Sequence, residues 1–269
     1  LSREGENSEV ALGEFFKAAA ASGPHASVEI PASWLQGRTS FGGILSALAL
    51  NAAMQTAPDL PLPRAAQISF AGPAAGKVKF EAELVRRGRS AAFVNVSAST
   101  ESGPALNGYF IFAGARPSTI SFPARPAQTV PPPEDCKPIF GNPSNRPSFM
   151  RHLEFRSAGR SAPGEAPEFL AWVRTTKDAG GIDPFLMLLL IGDALPPAAT
   201  ALTSGLGPMS SMNWSVNFLS ETPTTRDGWW LLRTTAQQAL DGFGSQSMAM
   251  SNTDGVVVAQ SMQAVAMFV

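Results

Sequence analysis

Residues Ile182 to Pro197, IDPFLMLLLIGDALPP, decide how the chain is to be read. Asp183 is a good N-cap, Pro184 stands at the first helical position, where its missing N–H costs nothing, and Pro196 and Pro197 end the element. Between them FLMLLLIG is apolar on every side. A helix without a polar face has to be enclosed. This one is far short of the roughly 20 residues that a membrane span needs, so the enclosure expected is the curl of a sheet. Near its end stands an acid, Asp193.

The same order of elements occurs earlier in the chain. TSFGGILSALALNAAMQT (39–56) is a small-residue helix signal, with Ser40 as a plausible N-cap and Pro58 as its stop. ISFAGP follows, and from Ala66 to Gly114 apolar and polar residues often alternate, with Gly76, Gly88, Gly103 and Gly108 as turn or bend candidates. After Asp193 come VNFLSETP and the strand-like run from Asp227 to Phe268. The repeat is one of pattern more than identity. The expected fold is α+β: a double hot dog, two tandem units each with a central helix wrapped by an antiparallel sheet. Its units are residues 1–115 and 148–269, joined by a linker at 116–147 in which prolines are dense. A short helix over 8–21 and a strand at His25 to Ile30 open the first unit, and HLEFR and FLAWVRT open the second.

Composition limits the partners. Lys+Arg number 20 against Asp+Glu 21, so no cationic surplus exists to neutralise a phosphate backbone. The expected partner is a small molecule, with no nucleic acid and no membrane. Cys136 is the sole cysteine, which excludes an internal disulfide and a cysteine-rich zinc site, and in PPPEDCKP it reads as a spectator. His25 and His152 are the two histidines and have no metal-ligand spacing, so no metal and no cofactor is expected. No G-x-S-x-G elbow occurs, and neither GFGSQS nor GLGPMS has the spacing of a phosphate loop. No basic, apolar leader is seen, and a cytoplasmic location is the expectation.

FGGILSALALNAA, ISFAGP, ELVRRGRS and FIFAG in the first half, with RHLEFR, WVR, SMNWSVNF and VVVAQSMQA in the second, resemble the acyl-CoA thioesterase II family over nearly the whole chain outside the linker. The resemblance implies hydrolysis of an acyl-CoA to free acid and CoA, in lipid metabolism, and leaves a homo-oligomer of double hot dogs open. It also implies a catalytic trio of an Asp on the second helix, a Ser or Thr before the next strand and a Gln on the last strand. By position these are Asp193, Ser211 and Gln263. Where the family commonly carries an Asp-His pair, this chain has Asn213 and Trp214, and Leu219 replaces the usual His, departures that bear on substrate preference.

Chemistry supports Asp193 independently. An acid near a helix C-terminus meets the negative end of the macrodipole, and burial strips its hydration. A carboxylate whose pKa is raised in this way is a better base near neutral pH. A hydroxyl and an amide can hold a water beside it. Gly42 and Gly43, at the start of the first helix, let a substrate approach free amides that could stabilise an oxyanion. Arg86, Arg87 and Arg89 read as a solvated cluster before a phosphate site. An apolar tunnel between the halves, ending near Asp193, is expected. The competing reading is a non-catalytic protein that binds acyl-CoA or a small apolar ligand on the same fold.

Overall fold

The computed structural model describes residues 11–139, 146–161, 164–203 and 207–268. In chain order these form helix α1 (Leu12–Ala21), strand β1 (His25–Ile30), the short strands β2 (Leu35–Gln36) and β3 (Thr39–Ser40), and helix α2 (Gly42–Met54). Strands β4 (Pro63–Phe70), β5 (Gly76–Arg87), β6 (Ala91–Thr100) and β7 (Gly103–Ala113) follow. Beyond the Pro-rich stretch lie β8 (Leu153–Arg160), β9 (Glu168–Thr175), helix α3 (Pro184–Gly192), β10 (Met209–Phe218), β11 (Trp230–Leu240), β12 (Phe243–Ser251) and β13 (Val257–Met267).

Eleven strands pair antiparallel in one sheet, in the order β1-β5-β6-β7-β4-β10-β13-β12-β11-β9-β8. The strands of the two halves of the chain therefore meet edge to edge, where Ile68 of β4 faces Trp214 of β10 and Ala66 faces Val216. Side-chain alternation explains which face is covered. In β5 the Lys and Glu residues point outward while Val78, Phe80 and Ala82 are buried. In α2 every residue from Gly43 to Ala53 is buried, and in α3 every residue from Phe185 to Ile191. A nine-residue helix is marginal by itself, so α3 owes its existence to this packing.

The ends of these helices are set differently. At α3 the expected cap forms, the Phe185 N–H donating to Asp183 Oδ1 at 2.8 Å. At α2 it does not: Ser40 lies in β3, and Phe41, the N-cap residue, offers no side-chain cap. The entry is fixed instead by the backbone, with Ser40 N–H bonded to Ala74 O and Phe41 N–H to Trp34 O. The first-turn amides of α2 thus have no local side chain to satisfy them, and this has a consequence at the site.

Three other expectations are modified. The first helix begins at Leu12, and the expected positions 8–10 lie outside the described residues; it is tied to α2 by Asn51 Nδ2 donating to Phe16 O at 3.1 Å. Gly108 is inside β7, where the Phe110 ring occupies the space a Cβ would need. The Pro-rich stretch does more than connect: Trp172 Nε1 donates to Pro131 O at 2.9 Å, Arg156 Nη1 donates to Pro133 O at 2.8 Å, and Cys136 packs with Leu170, Trp172, Trp229 and Leu231. It covers apolar residues that β9 and β11 carry on their outer face. No helix among the described residues is long and apolar enough to cross a membrane.

Because Leu189 is fully buried, Leu189→Ala is expected to lower unfolding free energy by about 2–5 kcal/mol in urea denaturation, through lost burial and a residual cavity.

Candidate active site

Asp193 is the C-cap residue of α3, half-buried as a residue but with its carboxyl turned into the protein. The carboxyl sits where the end of α3 meets the start of α2. It accepts the Gly43 N–H, one of the amides left without a side-chain cap, and Gln263 Nε2 donates to its Oδ1 at 2.8 Å. The approach is possible because of the glycines: a Cβ on Gly42 would lie 2.5 Å from Asp193 Oδ2, and one on Gly43 would lie 2.4 Å from Leu190 O. Burial pushes the carboxyl up from an ordinary 3.8 to about 7, against the pull of the Gln263 and Gly43 hydrogen bonds, which favour the anion. One helix end opposes the charge and the other supports it.

Ser211 reaches the same place through a backbone irregularity. It was expected ahead of the strand, yet it lies inside β10. Trp214 faces Gln263 and Asn213 faces Ala264, but Ser211 faces Val265, so Met212 is an extra residue in the ladder. In a regular strand Ser211 and Trp214, three apart, would point to opposite faces. The bulge returns Ser211 to the inner face, with Val265 and Gln263. Gln263 Nε2 donates to Ser211 Oγ at 2.9 Å. Asn213 stays outside and secures the bulge, its Oδ1 accepting Ala264 N–H at 3.0 Å.

The structure therefore brings Asp193, Ser211, Gln263, Gly42 and Gly43 together. It adds a residue that the sequence reading passed over. Gln246 on β12 is only 3 % exposed, and its Nε2 donates to Gln263 Oε1 at 2.6 Å. The available signal was its phase: Gln246 falls on the same face as Met248 and Met250, both buried.

The departures do not touch the cluster's polar atoms. Asn213 points outward, Leu219 is exposed, and Trp214 is buried under α3, its ring against Gly192. Trp214, Gly192, Leu188, Thr234, Met248 and Ser261 line a cavity of about 20 Å³ beside the site. It lies within the second half, beneath α3, where the sequence reading expected a tunnel between the halves. Arg87 is held by Asp59, both Nη atoms donating to its carboxylate at 2.8 Å, at the far end of α2 from Asp193. His152 stacks on Trp34 with centroids 4.1 Å apart, a packing role.

Comparison with known proteins bears on the family and the fold. The profile of the acyl-CoA thioesterase N-terminal domain matches residues 30–113, and that of the C-terminal domain matches residues 133–267. Among solved structures, the chain resembles a protein of unknown function with a hot dog fold from Alicyclobacillus acidocaldarius, at 23% identity and a TM-score of 0.78, covering 94% of this chain and 98% of that one. It resembles the tesB protein of Mycobacterium avium subs paratuberculosis at 21% identity and a TM-score of 0.75, covering 95% and 99%. For the acyl-CoA thioesterase II TesB2 of Mycobacterium marinum the values are 19%, 0.70, and coverage of 90% and 92%. No curated protein matches the sequence. The fold is a hot dog fold, and its family matches make the protein a thioester hydrolase. The chain belongs to the acyl-CoA thioesterase family.

The raised pKa has a consequence for stability. Between pH 3.8 and about 7 the folded protein holds a proton on Asp193 that the unfolded chain has released. Stability contributed at low pH is therefore lost as pH rises through this window. Urea unfolding of the wild type and Asp193→Asn at pH 5 and pH 8 is expected to show the difference moving against the wild type at the higher pH.

Proposed function

We propose that this thioesterase hydrolyses an acyl-CoA by direct attack of a water held and deprotonated by Asp193. The observation that carries the reading is the convergence of a carboxyl pushed up to about 7, an amide and a hydroxyl: Gln263 Nε2 lies 2.8 Å from the first and 2.9 Å from the third. Asp193 takes one water proton as the water oxygen bonds to the thioester carbonyl carbon. The Ser211 hydroxyl, whose oxygen already accepts from Gln263, donates its own proton to the water and so orients it. On collapse of the tetrahedral intermediate the C–S bond breaks. Asp193 returns the proton to the departing sulfur, giving free acid and CoA thiol. No covalent enzyme intermediate is required.

The amino end of α2 supplies donors for the oxyanion. Since the Gly43 amide already serves the carboxyl, Gly42 is assigned this task, and its missing side chain is what lets Asp193 Oδ2 come so close to the start of α2. Family membership favours turnover over a protein that only binds its ligand. We further read the architecture as a double hot dog with units 1–115 and 148–269 and a connector at 116–147. That reading is supported by the recurrence of one buried helix followed by four strands. An acyl-CoA from lipid metabolism, met in the cytoplasm, is the proposed substrate, and a homo-oligomer the proposed assembly.

Release of free thiol from short, medium, long and aromatic acyl-CoAs tests the reading. Asp193→Asn is expected to lower kcat by roughly 10²- to 10⁴-fold with little change in acyl-CoA affinity. Ser211→Ala and Gln263→Ala should each cost less and combine less than additively. Undiminished hydrolysis by Asp193→Asn would sink the mechanism. In the wild type the acid limb of kcat/KM should have its midpoint near the value of about 7 assigned to Asp193. Gly42→Ala, whose methyl must displace Asp193 or Phe70, should lose activity at a temperature where circular dichroism shows it still folded.

A further inference from the structure

Two glutamines side by side in an apolar interior are costly unless every polar atom is answered. Gln246 and Gln263 are 3 % and 4 % exposed and face each other across β12 and β13. Their row continues to Ala236 on one side and Trp214 on the other. At one end of this pair stands a group whose polarity is not negotiable: the Ala198 backbone N–H, which can only donate, lies 3.0 Å from Gln246 Oε1. Gln246 must therefore present its oxygen to Ala198 and its NH₂ to Gln263. The bond of 2.6 Å to Gln263 Oε1 then obliges Gln263 to turn its own NH₂ toward Asp193 and Ser211. An amide side chain has two orientations of nearly equal shape, and here the choice between them is made by a backbone group outside the cluster.

We propose that Gln246 is a positioning residue that locks the amide of Gln263 in the orientation presenting a donor to Asp193 and Ser211. The inference rests on the water-activating role assigned to that trio. Turned the other way, Gln263 would set its carbonyl against the Asp193 carboxylate. It would also face the Ser211 oxygen with an acceptor, taking the Ser211 proton that the water needs. Direction runs along the whole chain: Ala198 N–H to Gln246, Gln246 to Gln263, Gln263 to Ser211 and Asp193. The groups acting on the Asp193 carboxyl are the Gln263 amide and the Gly43 N–H. Losing the first for part of the time alters both the protonation of Asp193 and the hold on water, with no change in any group that touches the acyl chain or CoA.

The test is a double-mutant cycle on the full-length protein, read with an acyl-CoA that the wild type hydrolyses. Gln246→Met keeps length and approximate volume but leaves Gln263 free to turn. The expected loss in kcat is about tenfold, the worth of one misplaced hydrogen bond, with KM little changed. The acid limb of kcat/KM should move to higher pH, because Asp193 has lost part of a donor that favours its anion. In a Gln263→Ala background the same substitution should have no further effect, since its action passes through Gln263. Loss that adds in full on Gln263→Ala, or a wild-type kcat and pH profile in folded Gln246→Met, would overturn the proposal. If Gln246→Met does not fold, Gln246→Glu serves: it keeps an acceptor for Ala198 N–H, and its other oxygen, when ionised, repels Gln263 Oε1. The same vanishing of its effect on Gln263→Ala is then required. Failure here is distinct from failure of the mechanism, for in that case Asp193→Asn itself remains active.

Discussion

The junction between the carboxyl end of α3 and the amino end of α2, closed by the Asp193 carboxyl, constrains the rest of the molecule. The two buried helices come within reach only because Gly42 and Gly43 lack side chains, the first leaving room for Asp193 Oδ2 and the second for the Leu190 carbonyl. The contact also repairs a local deficiency. The start of α2 has no side-chain cap, and a carboxyl from the other half of the chain accepts the Gly43 amide. Two opposing effects meet in that group: burial favours its neutral form, while the helix start and the Gln263 amide favour its anion. A balance near neutral pH follows, the range in which a base is most useful.

The halves contribute unequally to this site. α2 contains no acid and brings backbone amides, whereas the second half brings the carboxyl, the hydroxyl and both glutamines. The two glutamines of the second half lie in a row beside a row of Val216, Ser261, Met248 and Thr234, in which the polar groups are the hydroxyls of Ser261 and Thr234. Apolar surroundings raise the energy of a misdirected hydrogen bond, so orientation in the glutamine row is more strongly enforced than it would be at a surface. The cavity of about 20 Å³ next to it, with Trp214 and Thr234 in its wall, has room for about one water.

The three departures from the family pattern become intelligible by position. Asn213 has become a clamp on the Met212 bulge, Leu219 faces solvent, and Trp214 fills the space under Gly192. None supplies or removes a polar atom of the cluster. Trp214 alone borders the cavity, and through shape it is the one able to affect what enters there.

Much of the architecture is legible in the chain itself. The helix at 184–192 announces itself by an N-cap, a proline at its first position and unbroken apolarity, and its enclosure follows because such a helix has no face for water. Asp193 is conspicuous for the same reason, as an acid at the end of an element that excludes solvent. The resemblance in order and spacing adds Ser211 and Gln263. Position alone could not place Ser211 on the right face: strand side chains alternate with a period of two, and only the pairing of β10 with β13 shows that Met212 is bulged out. Nor could it reveal that Ser40 is bypassed as a cap, that the linker shields Trp172, or that Gln246 stands behind Gln263. Each of these depends on which backbone groups face one another across strands and helices distant in sequence. Local propensity and hydrophobic period determine what a segment is and which side it buries, whereas hydrogen-bond partners between segments exist only once the register is fixed.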